Sequence, residues 1–349
     1  MIYRLIDSID AQEIEKALAW MGEYWDRPIH PDYYDARTID EAVSLLDRYG
    51  KDAKIIAGGV DLLGLMKNRV IMPKILINIK GIPHLNHVVE NDRGIAIGAL
   101  TLVNDIERSA LISDKYPLLF SAAHAIASPQ VRNMATIGGN LCQEVRCWYY
   151  RRSPITGISF SCRRKKENGI CYAVNGENQY HAIMSGTECV AICPSDMAVA
   201  LSALGAEINT VSTSGGRVIP IENFYTTFGN TLEFSEVIKS IQIPAIKPGV
   251  KQHFLKFRLR KAIDFAIVSV AAVITLDNNT ISHARIVLGG VSPEPCRAVK
   301  AEAALIGETI TERAAESAAK AAVIDAVPLS KNSYKVPLIE VLVKRSLLG

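Results

Sequence analysis

The sequence predicts an α+β protein of several domains, and three observations lead there. The chain is 349 residues long, more than one hydrophobic core usually serves, so two or three domains are expected. Short β-branched apolar runs alternate with segments of helical period, and Gly and Pro punctuate the joins. Two glycine pairs, Gly58-Gly59 and Gly138-Gly139, stand close behind apolar stretches. Such pairs let a backbone turn tightly and approach a ligand with no Cβ in the way.

Residues 1–30 are rich in Ile, Leu, Trp and acidic side chains and read as an N-terminal extension, with a helix around Ala11–Gly22 before Pro28 and Pro31. A first subdomain spans residues 31–86. Thr38 with Glu41 makes a capping box, Ala42, Leu45, Leu46 and Tyr49 form an apolar stripe, and Gly50 suits the helix end. A strand at Lys54–Ile56 runs into Ala57-Gly58-Gly59-Val60-Asp61, and a second at Ile75–Ile79 is closed by Gly81 and Pro83. The second block, residues 87–243, holds a strand at Gly94–Ala99 and helices near Leu102–Ser109 and Leu118–Ala127. Thr136-Ile137-Gly138-Gly139-Asn140 follows, then a cysteine-rich segment, then a helix from Asp196 that Gly205 ends. The third block, 244–349, has apolar strands at Phe265–Leu276 and Ile281–Leu288 joined through Asp277-Asn278-Asn279, a hairpin turn. Two alanine-rich helices come after it, the second capped by Thr309 with Glu312 and ended by Pro328.

Composition narrows the function. With 49% hydrophobic and 21% charged residues the chain is a soluble globular protein. Its net charge of +3, without a polybasic tract, argues against nucleic acid as a partner. No apolar run approaches the roughly 20 residues that span a bilayer, and Met1–Asp10 lacks a signal-peptide core, so a cytoplasmic location is expected. No Ser/His/Asp or H-E-x-x-H arrangement and no poised carboxylate pair appears, so no catalytic side chain is assigned. The glycine pairs fit neither G-x-G-x-x-G nor the P-loop. Their exposed N–H groups can nest a pyrophosphate, with Asp61 and Asn140 placed to bond ribose or flavin edges. Ordinary turns are the other reading.

Ala57-Gly58-Gly59-Val60-Asp61-Leu62-Leu63 and Ala135-Thr136-Ile137-Gly138-Gly139-Asn140-Leu141 resemble the two FAD-binding signatures of the medium subunit of the xanthine dehydrogenase and carbon monoxide dehydrogenase family, the molybdenum hydroxylases. The resemblance runs from about Pro31 to the C-terminus. It includes Ser128-Pro129-Gln130-Val131-Arg132-Asn133, the run from Lys256 to Phe265, and Leu288-Gly289-Gly290-Val291-Ser292-Pro293. It implies a two-subdomain FAD-binding domain of the vanillyl-alcohol-oxidase (PCMH) type and a smaller α/β C-terminal domain. It also implies FAD contacts by Ile55, Ile56, Ala57, Gly58, Gly59, Val60, Asp61 and Leu62 on one side and by Thr136, Ile137, Gly138, Gly139 and Asn140 on the other. Ile126 would lie near the flavin, and Asp196, Ile238 and Lys256 would complete the contacts. Val60 departs from the hydroxyl or imidazole usual in the family, leaving that contact to the backbone.

Six of the seven cysteines fall between Cys142 and Cys193. A disulfide framework is out of place in a cytosolic chain, and the spacings match neither paired zinc knuckles nor a ferredoxin run. Buried or free thiols are the plain alternative to a metal site. Most relatives pass directly from the second signature into the helix at Asp196, whereas here residues 143–193 are inserted. The insertion resembles that of the 4-hydroxybenzoyl-CoA reductase medium subunits, which carries a 4Fe–4S cluster, and Cys147, Cys162, Cys171 and Cys189 match its ligands. The longer gap before Cys189 leaves Cys193 as a substitute. Cys142 and Cys296 read as packed. Arg151, Arg152, Arg163, Arg164, Lys165 and Lys166 read as a solvated loop or as a surface steering an acidic ferredoxin. His181 with Glu177 reads as structural.

The resemblance implies an electron-transferring subunit working with a large molybdopterin-binding subunit and a small 2Fe–2S subunit, as a dimer of heterotrimers, and exchanging electrons with a ferredoxin or another carrier. The alternatives are a self-contained flavin dehydrogenase or oxidase acting on a small molecule or NAD(P)H, and a cluster-bearing scaffold without flavin.

Overall fold

The computed structural model describes residues 31–152, 160–184 and 188–349; the helix expected at Ala11–Gly22 lies outside them. The first subdomain is a three-stranded parallel sheet with Ile75–Asn78 between Asp32–Asp35 and Ala53–Ile56. Parallel neighbours need a crossover, and the helix Ile39–Tyr49 supplies it. Thr38 caps this helix by accepting from Glu41 N, while the Glu41 carboxylate accepts from Arg37 N, one residue outside the expected box. Ala42, Val43 and Leu46 bury its inner face. A further short helix, Leu62–Lys67, follows the first glycine pair directly.

The second subdomain is a five-stranded antiparallel sheet in the order Val88–Asn91, Gly94–Gly98, Val237–Pro244, Glu207–Val211, Val218–Pro220. Helices Val103–Arg108, Ala110–Lys115 and Pro117–His124 pack with it. The helix Asp196–Leu204 is buried along its whole length. A helix apolar all round belongs between two layers, and this one shares a core with Ala271, Val273 and Val287 of the C-terminal sheet. Gly205 ends it in the left-handed region, at φ 67°.

The C-terminal sheet, also antiparallel, runs Lys251–Phe257, Val268–Asp277, Thr280–Gly289, Cys296–Arg297. Its long hairpin turns on Asn278 and Asn279, at φ 47° and 68°, the conformation a two-residue turn needs and asparagine tolerates. Helices Val299–Ala303, Glu312–Ala321 and Lys335–Leu348 cover its other face, with Ala314, Ala315, Ala318 and Ala319 turned inward. Two details differ from expectation. The cap of Glu312–Ala321 is Thr311, which accepts from Ala314 N, because Thr309 is engaged in an extended bridge with Thr280. The helix also ends well before Pro328. Thr311→Ala is therefore expected to cost about 1 kcal/mol in denaturant unfolding, and Thr309→Ala less than about 0.5 kcal/mol. Among the described residues no helix is long and apolar enough to cross a membrane.

Candidate cofactor sites

A cleft of about 420 Å³ opens between the two subdomains, within the range of small-molecule sites. Ile55, Ile56, Ala57, Gly58, Gly59, Val60, Asp61 and Leu62 line one wall; Ile126, Thr136, Gly139 and Asn140 line the other; Asp196 and Lys256 reach it as well. The glycines are there for space and for backbone shape. A Cβ on Gly58 would stand 2.0 Å from the Met134 carbonyl oxygen, so the two signature segments touch at this point. Gly59 sits at φ 69°. Thr136 Oγ1 accepts from Gly139 N at 3.1 Å and starts the short helix Ile137–Leu141.

Three expected contact residues do not line the cleft. Ile137 and Ile238 are packed in the core beneath it, and Gly138 is pressed against the strand end, its N–H donating to Ala99 O at 2.9 Å. Leu232, Glu233, Phe234 and Glu236, just ahead of Ile238, line the cleft, as do Asp264 and Phe265.

Asp61 differs most from expectation. Its carboxylate accepts from Arg151 Nη2 at 2.8 and 2.9 Å and from Glu144 N at 2.9 Å, and it pairs with Arg146 at 2.9 Å. A half-buried carboxylate needs such donors, and the cysteine insertion supplies all of them. Asn140 is likewise held, its Oδ1 accepting from Ser195 Oγ at 2.7 Å.

At the other end of the cleft Lys256 and Asp196 form a 2.6 Å ion pair with side chains 4% and 5% exposed. Burial pushes the Asp196 carboxyl up from its ordinary range, against the pull of Lys256 and Arg258. Lys256 Nζ and Arg258 Nη1 both donate to the Ala125 carbonyl, at 3.0 and 2.6 Å, and Arg132 Nη1 donates to Ile126 O at 2.8 Å. Ala127, next in this loop, has φ 42°, a conformation rare for a residue with a side chain. Cations thus hold the turn that presents Ile126.

Within the insertion lies a second, smaller cavity. Cys147, Cys162, Cys171 and Cys189 all line it, with Tyr149, Tyr150, Tyr172, Arg163 and Arg164. Cys193 does not: it belongs to the core of the second subdomain, its N–H donating to Ser292 O at 2.8 Å. Cys142 is exposed and lines the larger cleft, contrary to its reading as packed. Cys296 packs against the C-terminal core. Among the described residues no three His, Cys, Asp or Glu side chains are arranged around one metal ion.

The basic run is not uniformly solvated. Arg164 has a side chain 4% exposed and donates from Nε to Cys189 Sγ at 3.2 Å. Arg151 serves Asp61. His181 and Glu177 do not face each other. Glu177 pairs with Lys331 at the surface, while His181 Nε2 lies 3.2 Å from Cys147 Sγ. Burial, with Lys335 nearby, brings the imidazole down to about 4, so it is neutral.

The extra length between Cys171 and Cys189 also has a place. Asn178 is fully buried, donating to Ala173 O and accepting from Lys331 N. Asn332 Nδ2 donates to His181 O and Ala182 O, and Lys335 Nζ to Tyr180 O and Gly290 O. These bonds clasp the insertion to the C-terminal domain.

Residues 27–246 match the family model described as the FAD binding domain in molybdopterin dehydrogenase. The chain belongs to this family. Residues 253–349 match the CO dehydrogenase flavoprotein C-terminal domain. The chain is 31% identical over 321 residues to the carbon monoxide dehydrogenase medium chain of Hydrogenophaga pseudoflava, covering 90% of this chain and 95% of that one. It is 34% identical over 294 residues to the aldehyde oxidoreductase FAD-binding subunit PaoB of Escherichia coli K12, covering 82% and 87%. Among solved structures, carbon monoxide dehydrogenase from Hydrogenophaga pseudoflava superposes with a TM-score of 0.74 at 31% identity, over 91% of this chain and 96% of that one. The chain is accordingly an FAD-binding medium subunit of the molybdenum hydroxylase family, and the cleft between the signature segments presents the glycine-lined backbone that a nucleotide can approach closely.

Proposed function

We propose that this chain carries two redox groups, FAD in the cleft and a 4Fe–4S cluster on Cys147, Cys162, Cys171 and Cys189, and serves as the electron-transferring subunit of a molybdenum hydroxylase complex. Its partners are a large molybdopterin-binding subunit and a small 2Fe–2S subunit, as a dimer of heterotrimers in the cytoplasm, with an external carrier such as an acidic ferredoxin. The observation that carries the reading is that four cysteines, 42 residues apart from first to last, line one cavity. Soft thiolates suit iron–sulfur clusters, and a cubane binds its four ligands at separate corners rather than around one ion.

Bound FAD supplies hydride and one-electron chemistry, and the cluster one-electron chemistry. The protein binds, orients and excludes water. The turn at Gly58-Gly59 brings bare backbone to the cleft wall, the loop at Ile126 is held by Arg132, Lys256 and Arg258, and Tyr149, Tyr150 and Tyr172 line the cysteine pocket. No side chain is required as acid, base or nucleophile.

Anaerobic purification with the partner subunits, followed by iron, molybdenum and flavin analysis, tests the proposal. About four irons per chain beyond those of the small subunit are expected. Cys162→Ser should lose that iron and keep flavin, while Cys193→Ser should keep both. Steady turnover of an organic substrate by this chain alone would instead favour a self-contained flavin dehydrogenase.

A further inference from the structure

Two side chains reach the sulfurs of the cysteine pocket from outside the set of four. Arg164 Nε donates to Cys189 Sγ, and His181 Nε2 meets Cys147 Sγ, both at 3.2 Å. Neither is a loose contact. Arg164 also donates from Nη2 to the Thr227 carbonyl, lies over the Tyr150 and Phe228 rings, and has Nη1 3.7 Å from the Glu144 carboxylate. Glu144 is the residue whose N–H holds Asp61 of the flavin cleft. The His181 ring is packed edge-on to Trp148 with centroids 5.4 Å apart. Its Nδ1 is buried with no hydrogen-bond partner among the described residues. Among the described residues the sulfur of Cys147 is the side-chain partner of this ring. A thiolate carries no proton, so an imidazole nitrogen facing one must present its N–H as the donor.

The geometry points to Arg164 and His181 as positioning residues that set the reduction potential of a cluster in this pocket, by donating hydrogen bonds to the sulfurs of Cys189 and Cys147. The inference rests on the cluster reading above. A hydrogen bond to a ligand sulfur draws charge from the metal centre and stabilises its reduced, more negative form, so each donor raises the potential. The two act on different ligands, and each variant therefore carries its own shift. Through Glu144 the Arg164 donor is also braced against the segment that holds Asp61.

The test uses the complex purified anaerobically, with His181→Phe and Arg164→Lys compared with the unaltered protein. Phe keeps a ring beside Trp148 and removes the unpaired nitrogen; Lys keeps the charge and removes the Nε donor. Iron and sulfide are counted per chain, and the cluster is titrated with EPR detection. Both variants should retain full iron and titrate at more negative potential. At the unaltered midpoint the reduced-to-oxidised ratio should fall about tenfold, equivalent to about 59 mV for a one-electron couple. Full iron with unshifted potentials overturns the role of both residues while leaving the cluster standing. Loss of iron from both variants assigns them to holding the pocket together and overturns the tuning role. A complex whose unaltered form lacks the extra iron overturns the cluster itself, and this inference with it.

Discussion

Lys256→Met should destabilise the protein by about 3–5 kcal/mol at neutral pH, the usual cost of stranding one member of a buried ion pair. Asp196 is left behind with its side chain 5% exposed, and Arg258 reaches the Ala125 carbonyl rather than the carboxylate. The deficit should depend on pH with a definite sign. Asp196 already titrates above its ordinary value of 3.8 through burial, and Lys256 is the largest influence opposing that rise. Removing it lifts the folded-state value further. A group whose folded pKa is raised contributes stability that is complete below the unfolded value and is lost as pH rises through the folded one. The deficit of the variant should therefore be greatest at neutral pH and shrink in acid as Asp196 takes up a proton. Urea unfolding at neutral and at acid pH measures this, and a deficit that grew on acidification would contradict it. Flavin content should fall in parallel, since the same lysine holds the turn at Ile126.

Gly58→Ala should remove FAD from the protein while leaving most of the chain folded. The added Cβ would meet the Met134 carbonyl oxygen at 2.0 Å and Ala135 Cα at 3.2 Å. These are backbone atoms that cannot swing aside, so the two signature segments must separate. Overpacking of this kind costs about 1–3 kcal/mol, which falls on closure of the cleft and corresponds to about 10- to 100-fold in affinity. Flavin-to-protein ratio after gel filtration and a fluorescence titration with added FAD read the loss. Gly64→Ala is the matched control, because a Cβ there meets nothing within 4 Å. Equal flavin retention by both would show that the contact at Gly58 is not what shapes the cleft.

Local chemistry made much of this fold legible in the sequence. The Thr38 cap, the asparagine turn at Asn278–Asn279 and the stop at Gly205 each depend on a few neighbouring residues, and each stands where the pattern put it. The helix Lys335–Leu348 was not among the expected elements; its Pro337 falls in the first turn, where no intrahelical N–H is required. The pattern put the cap of the helix at Glu312 on Thr309, and the bridge of that residue to Thr280, a tertiary contact, leaves the role to Thr311. In the site, the glycine turns were readable because close approach demands a missing side chain. The partner of Asp61 was not, since Arg151 lies 90 residues further on and nothing local marks a guanidinium for that carboxylate. For the same reason the longer gap left Cys193 as a substitute for Cys189, whereas in the folded chain Cys189 lines the pocket with the other three and Cys193 belongs to the core.

The clasp between the insertion and the C-terminal domain makes the shape of the cysteine pocket depend on residues far from it in sequence. Its anchoring partners, Asn332 and Lys335, belong to the C-terminal domain, and Lys335 opens the helix Lys335–Leu348. Through them the backbone at Tyr180, His181 and Ala182 is tied down, and with it the ring that faces Cys147. Asn332→Ala should therefore leave flavin content unchanged and speed alkylation of Cys147 by a thiol reagent.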